Sequence, residues 1–349
     1  MKKYLVVCAA ALLMLPCFPL RSQEADDTGT GVGLTIVPRL DLTPVFCDGE
    51  AALTLGNSSL YSLFEGNIND WLSFSVENHW LSAAPGELYA IPGEGANLFR
   101  SDWTNWLDWA YLTAQFGSWS VTLGKDMITT GGFEFDDYDY DVHPALQSGL
   151  WNNFICYQWG GKLQYTTPSE NTQIALQYTA SPFFEKPFEF ASMPLSSTLS
   201  LQWRGEYGAL SNIWSISAIG TGASGGNGIS YLAALGQRYT AGDFVLGLDW
   251  FNMSGDEEDQ LTGGMTLLGT LQYSLSDSFE FLLKGGREKA REFNMDGGTV
   301  TERYGSNYFG GLAVHYFPIE NLRIHAVGAY SSFWKTFTCT LGAIYYLNL

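Results

Sequence analysis

Apolar and polar residues alternate with a period of two over most of the chain from residue 31 to its end. In residues 197–208, Leu199, Leu201, Trp203 and Tyr207 alternate with Thr198, Ser200, Gln202, Arg204 and Glu206. The same holds for Leu72, Phe74, Val76 and Trp80 against Ser73, Ser75, Glu77 and His79, and for Ile174, Leu176 and Tyr178 against Gln173, Gln177 and Thr179. Successive side chains of an extended strand point to opposite faces, so each such segment predicts a strand with one oily and one wet face. Sixteen strands are predicted, at residues 31–42, 54–68, 71–83, 104–117, 119–133, 150–167, 170–182, 197–208, 212–221, 227–240, 243–254, 263–276, 278–289, 304–317, 321–334 and 336–348.

The connections alternate in length. Those at Asn69-Asp70, Gly117-Ser118, Pro168-Ser169, Leu210-Ser211, Ala241-Gly242, Asp277 and Ile319-Glu320 are short, and those between them are mostly longer. Tight turns at one end and longer loops at the other are the habit of outer-membrane barrels, and an even strand count returns both termini to the short-turn side, the periplasm. In a soluble sandwich the same oily faces would form a core. Three features favour a membrane wall instead. Aromatic residues stand near strand ends, at Trp71, Trp80, Trp119, Tyr165, Tyr207, Trp250, Tyr273, Phe279 and Tyr330, where interfacial girdles belong. The start of the chain reads as an export signal. The chain also closes on an amphipathic strand with Leu341, Tyr345, Leu347 and Leu349 on one face, resembling the terminal strand read by the barrel-assembly machinery, here with Leu in place of the usual final Phe.

The export signal consists of Lys2 and Lys3, an apolar core from Leu5 to Leu15, and a polar stretch at Arg21, Ser22 and Gln23. Beyond it, no apolar run reaches the roughly 18 residues of a membrane helix, so any crossing must be made by strands closed into a barrel. The organisation expected is a signal peptide over residues 1–22 and an antiparallel transmembrane β-barrel over 23–349, facing lipid in the outer membrane of a Gram-negative bacterium. Mean hydropathy of −0.02 agrees, because an oily outside is averaged with a polar inside.

Composition narrows the chemistry. The net charge is −19, and losing Lys2, Lys3 and Arg21 makes the exported chain about −22, which argues against nucleic acid or anionic lipid as a partner. Cys47, Cys156 and Cys339 form no metal-ligand spacing; they read as free thiols, with a Cys47–Cys156 pair as the one bridge to test. Of the four histidines, His315 and His325 fall on adjacent strands facing inward, His79 faces inward elsewhere, and His143 ends an acidic segment. No Ser or Asp stands near them at a catalytic spacing, so no enzyme activity, cofactor or metal is expected.

The most unusual segment is GFEFDDYDYDVHPALQSG, residues 132–149, with Glu134, Asp136, Asp137, Asp139 and Asp141 close together. Its Asp-x-Asp spacing lacks the Gly and distal Glu of an EF-hand, which leaves a solvated loop, loosely holding Ca²⁺ at most, or a constriction. The alternation points Arg39, Lys162, Arg204, Arg238, Lys284 and Arg323 inward. Lys125 shares the outward parity of Trp119, Val121 and Leu123, so a bulge at Gly124 is expected to turn it into the lumen. These bases form either ordinary lumen salt-bridge ladders or one wall of a selective passage. A second acidic cluster, Asp256-Glu257-Glu258-Asp259, reads as a solvated loop tip.

Leu123-Gly124-Lys125 ahead of Gly131-Gly132-Phe133-Glu134, the early Thr54-Leu55-Gly56-Asn57, and the strand-and-loop pattern carry a resemblance. The chain resembles the trimeric outer-membrane porins, most closely the branch grouped with the phosphate-selective porins. That resemblance implies a sixteen-stranded barrel, a homotrimer, passive diffusion of small polar solutes or ions, and a third extracellular loop folded into the lumen, here the acidic segment. It does not carry anion selectivity, because acids facing bases across a narrow lumen set up a transverse field that suits neutral dipolar solutes or a weak cation preference. The other reading is a non-conducting barrel that serves as a surface-binding or structural protein.

Overall fold

The computed structural model describes residues 31–47, 49–82, 107–183, 196–221, 228–254, 264–296 and 299–349. In chain order the strands are β1 (Val32–Cys47), β2 (Glu50–Thr54), β3 (Ser59–Asn69), β4 (Leu72–Ser82), β5 (Leu107–Phe116), β6 (Trp119–Met127), β7 (Tyr157–Thr166), β8 (Thr172–Ala180) and β9 (Ser197–Tyr207). They continue as β10 (Leu210–Gly220), β11 (Ile229–Ala241), β12 (Phe244–Ser254), β13 (Met265–Ser276), β14 (Phe279–Asp296), β15 (Thr299–Ile319), β16 (Leu322–Ser331), β17 (Thr336–Tyr345) and β18 (Leu347–Asn348). Except for β2 with β3 and β17 with β18, sequence neighbours pair in antiparallel register, as in Trp214↔Trp203 and Leu235↔Trp250. β1 closes the cylinder: it pairs with β17 and β18 on one edge and with β2 and β3 on the other. β2 and β3 are two halves of one stave, as are β17 and β18, so the wall is a closed barrel of sixteen staves. Closure pairs the staves with one another all round the cylinder, as a hydrocarbon environment requires.

The wall has the polarity that the alternation predicts. On β9, Leu199 and Leu201 are 49% and 48% exposed, whereas their neighbours Thr198 and Ser200 are each 1% exposed. On β12, Leu246 and Leu248 lie on the exposed outer face and Asp249 is buried within. A continuous apolar exterior of this kind is stable only against lipid. Stacked or tilted aromatic pairs ring the short-turn end: Trp71 with Phe116, Trp119 with Tyr165, Phe244 with Tyr273 and Phe279 with Tyr316. They mark one interfacial girdle.

Several expectations are corrected. β6 stops at Met127 and β7 starts at Tyr157, so residues 128–133 and 150–156, read as strand ends, belong to a connection containing the short helix Gly149–Asn153. Their apolar residues imitate strand because they are buried, but against the inner wall instead of in it. β14 and β15 run longer than expected, to Asp296 and from Thr299. No bulge occurs at Gly124: the register runs unbroken through Tyr111↔Gly124 and Gly124↔Gly160. Gly124 instead takes a φ of 140°, which an L side chain rarely adopts, and Lys125 is buried although Leu123 is 61% exposed. Cys47 and Cys156 do not pair, and Cys47 Sγ faces the Trp334 carbonyl. The signal peptide and the Asp256–Asp259 cluster lie outside the described residues.

Candidate functional site: a loop laid across the lumen

The β6–β7 connection, residues 128–156, turns into the barrel. Its neck is closed by the Ile128 N–H donating to the Cys156 carbonyl at 2.7 Å. From there the chain crosses the inner wall with a hydrogen bond at almost every stave. On β8, Gln177 accepts from the Thr129 N–H at 2.6 Å, and on β9 Gln202 donates to the Thr130 carbonyl at 2.8 Å. On β10, Ser215 Oγ accepts from the Gly131 N–H at 2.6 Å. On β12, the Asp249 carboxylate accepts the Phe133 and Glu134 N–H groups at 2.8 and 3.0 Å. Gly132, at φ 88°, has no room for a side chain, because an added Cβ would lie 2.5 Å from the Phe251 ring. The inner wall here is oily: Leu232, Ala234, Phe251, Met253 and Leu268 receive Phe135, Leu150 and Phe154 of the loop. These inward apolar residues depart from the wet-inside rule, and the loop that covers them is the reason.

The acids of the loop meet the bases of the wall. Glu134, 3% exposed, accepts from the Ser148 N–H and hydroxyl at 2.7 and 2.6 Å and pairs with Lys284 at 3.0 Å. Asp136 pairs with Arg204. Asp141 pairs with Arg323 at 3.2 Å and also bonds the Tyr346 hydroxyl. Arg39 holds the loop backbone, donating to the Tyr140 and Val142 carbonyls, each at 2.7 Å, and to Asp41. Asp137 is exposed and makes no hydrogen bond among the described residues; it lines the same cavity as Arg238, whose guanidinium lies 4.0 Å over the Phe133 ring. Asp139 turns away into a buried aromatic group and bonds Tyr157; burial and the nearby Asp108 carboxylate raise its carboxyl to about 7. Lys162 pairs with Asp126 at 2.7 Å and Lys125 donates to the Leu107 carbonyl, so neither meets a loop acid.

Histidines join the same lock. His143 Nε2 lies 2.8 Å from His315 Nε2, His315 Nδ1 lies 2.8 Å from Glu280, and His325 Nε2 lies 2.9 Å from Asp41. His79 bonds Asp108 at 2.6 Å. The expectation that no Asp stands beside a histidine is therefore overturned: His79 meets Asp108 between the adjacent staves β4 and β5, and His325 meets Asp41 across the barrel closure, neither along the sequence.

The loop divides the interior. Towards the long connections, two cavities of about 290 and 380 Å³ share Pro144, Ala145 and Asn152 in their linings. Towards the short turns a chamber of about 440 Å³ is lined by Glu134, Asp137, Asp141, Asp249 and Glu280 on one hand and Arg238, Lys284 and Arg323 on the other. His143 and Gln147 border both sides. Sequence reasoning missed Asp41, Asp249, Glu280 and Glu288. Their only signal was an acid at an inward position, and the partner of each lies far away in sequence.

No family model matches the sequence, and no curated protein matches it. Solved structures do match in fold. The anion-selective porin from Comamonas acidovorans is 12% identical with a TM-score of 0.60, covering 91% of this chain and 100% of its own. A variant of the Rh. blastica porin is 13% identical, TM-score 0.59, with the same coverage of 91% and 100%. OmpT, an outer membrane protein of Vibrio cholerae, is 12% identical, TM-score 0.57, covering 94% and 100%. The chain has the fold of the sixteen-stranded outer-membrane porins.

Proposed function

We propose that the protein is an outer-membrane porin of a Gram-negative bacterium that passes small hydrophilic solutes and ions by diffusion through a lumen narrowed by residues 128–156. One observation supports the reading: Asp137 and Arg238, neither in an ion pair among the described residues, line a single chamber together with the loop acids Glu134 and Asp141, the wall acids Asp249 and Glu280, and the wall bases Lys284 and Arg323. Opposed charge across a narrow wet gap orders water and favours solutes that bring their own dipole. Five acids against three bases line that chamber, which supports a weak cation preference. Acids outnumber bases in it, so anion selectivity is left to the Comamonas protein. A trimer form is recorded for the Vibrio OmpT, and a homotrimer is the assembly we propose here. The histidines are read as positioning groups, since among the described residues none hydrogen-bonds a Ser, Thr or Cys side chain.

The second reading, a non-conducting barrel with a surface-binding or structural role, is favoured by the seating of Leu146, fully buried against Ala313, Val327 and Ala329. Planar-bilayer recording separates the two. Discrete open-channel conductance supports the porin, and its absence from correctly folded protein supports the plugged barrel.

A further inference from the structure

The hydrogen bonds around His143 leave one consistent set of protons. A guanidinium has no acceptor, so the contact of Arg39 Nη2 with His143 Nδ1 at 3.4 Å requires a lone pair on that nitrogen. The single proton of a neutral His143 then sits on Nε2 and is donated to His315 Nε2. His315 in turn carries its proton on Nδ1 and donates it to Glu280. A relay Arg39→His143→His315→Glu280 thus ties the loop to β1, β14 and β15, at the segment that separates the outer cavities from the inner chamber.

Adding one proton breaks this chain in either place. On His143 Nδ1 it would face the Arg39 donor; on His315 Nε2 it would face the His143 N–H. The surroundings of His143 add to the penalty, with Arg39 on β1 and Arg323 and His325 on β16 packed around it. The acids within the same group are already engaged: Asp41 by Arg39 and His325, Asp141 by Arg323 and Tyr346, Glu280 by His315. Tyr61 and Asp139 approach the adjoining residues from the other side, Tyr61 against the Tyr140 ring at 5.4 Å.

We propose that His143 is a positioning residue of the lumen loop, a latch that holds in its neutral form and releases the segment around residues 141–147 from the wall when the His143–His315 pair takes up a proton. Burial and the surrounding cations hold His143 well below the ordinary histidine range, so the latch stays shut at neutral pH and opens only in acid.

Two measurements test it, and the conductance arm rests on the porin reading. In bilayers, single-channel conductance of the wild type at pH 4 is expected to be at least twice that at pH 7.5. In His143→Gln, whose amide still accepts from Arg39 and donates to His315 but does not titrate, the ratio is expected near one. His315→Gln serves if that variant does not fold. Asp139→Asn, which removes the loop carboxyl raised to about 7, should retain the step. A wild type that conducts equally at both pH values, or an undiminished step in His143→Gln and His315→Gln, overturns the latch. Independently of conduction, ¹⁵N-histidine NMR of the folded protein in detergent is simple to assign, with four histidines in the chain. The latch requires His143 neutral with its proton on Nε2 at pH 7; a charged His143, or a proton on Nδ1, overturns it. If no pH gives any conductance while that tautomer is found, the porin reading fails and the latch stands.

Discussion

Asp249 is the group on which the position of the acidic turn most depends, and Asp249→Ala tests this. Both of its oxygens accept loop N–H groups, from Phe133 and Glu134. A hydrogen bond to a charged group contributes about 1.5–3 kcal/mol. The chamber lies beside these groups and water can replace the lost acceptor, so the lower end applies and the pair amounts to about 3 kcal/mol. At about 1.4 kcal/mol per tenfold, docking of the turn weakens roughly 100-fold. Ser215→Ala removes the single neutral bond from the Gly131 N–H, worth about 1 kcal/mol, and weakens docking about fivefold. The assay is single-channel conductance together with exclusion of graded polyethylene glycols from the lumen. Asp249→Ala should pass larger polymers and conduct more, with Ser215→Ala close to wild type. Equal effects of the two variants, or an Asp249→Ala channel with the wild-type exclusion limit, would refute the assignment of Asp249 as the main anchor.

Asp137→Asn, which removes a chamber-lining loop acid that has no ion pair among the described residues, should move the reversal potential in a salt gradient towards anions more than Asp136→Asn, whose side chain lies outside the chamber lining; Arg238→Gln should move it the opposite way. Asp139 binds a proton in the folded chain up to pH about 7, whereas in the unfolded chain it loses it near its ordinary 3.8, so its contribution to stability falls as pH rises between those values and is level above. Thermal melts should therefore show Asp139→Asn gaining on wild type from pH 5 to pH 8, and parallel curves would count against the burial of that carboxylate. Leu248→Arg places a charge on the 52% exposed outer face at a cost of about 2–4 kcal/mol, while Thr270→Arg points into the chamber. Yields of heat-modifiable protein should drop for the first variant only.

The staves were legible because a wall between lipid and water writes its two sides into alternate residues. Leu199 to Tyr207 needs no partner to be read that way. The loop was half legible. Its acids announced an unusual segment, and parity turned Arg204, Arg238, Lys284 and Arg323 inward, but pairing Glu134 with Lys284 or Asp141 with Arg323 needs the depth at which each stave stands. The false strand ends at 128–133 and 150–156 have one cause: Phe135, Leu150 and Phe154 are oily because Phe251 and Met253 await them inside. β12 is apolar on both faces, with Leu248 outside and Phe251 within, and that double apolarity was the available sign that something fills the lumen. The Asp41–His325 bond joins residues that only barrel closure brings together. No local pattern encodes it.

On the porin reading, a wet passage persists between the acidic loop and the basic wall. Purified, heat-modifiable protein in a planar bilayer, recorded under a potassium chloride gradient, tests it most directly. Stepwise channel openings with a reversal potential displaced modestly to the cation side are the predicted outcome. A folded barrel that inserts and yet stays silent at every voltage would contradict it.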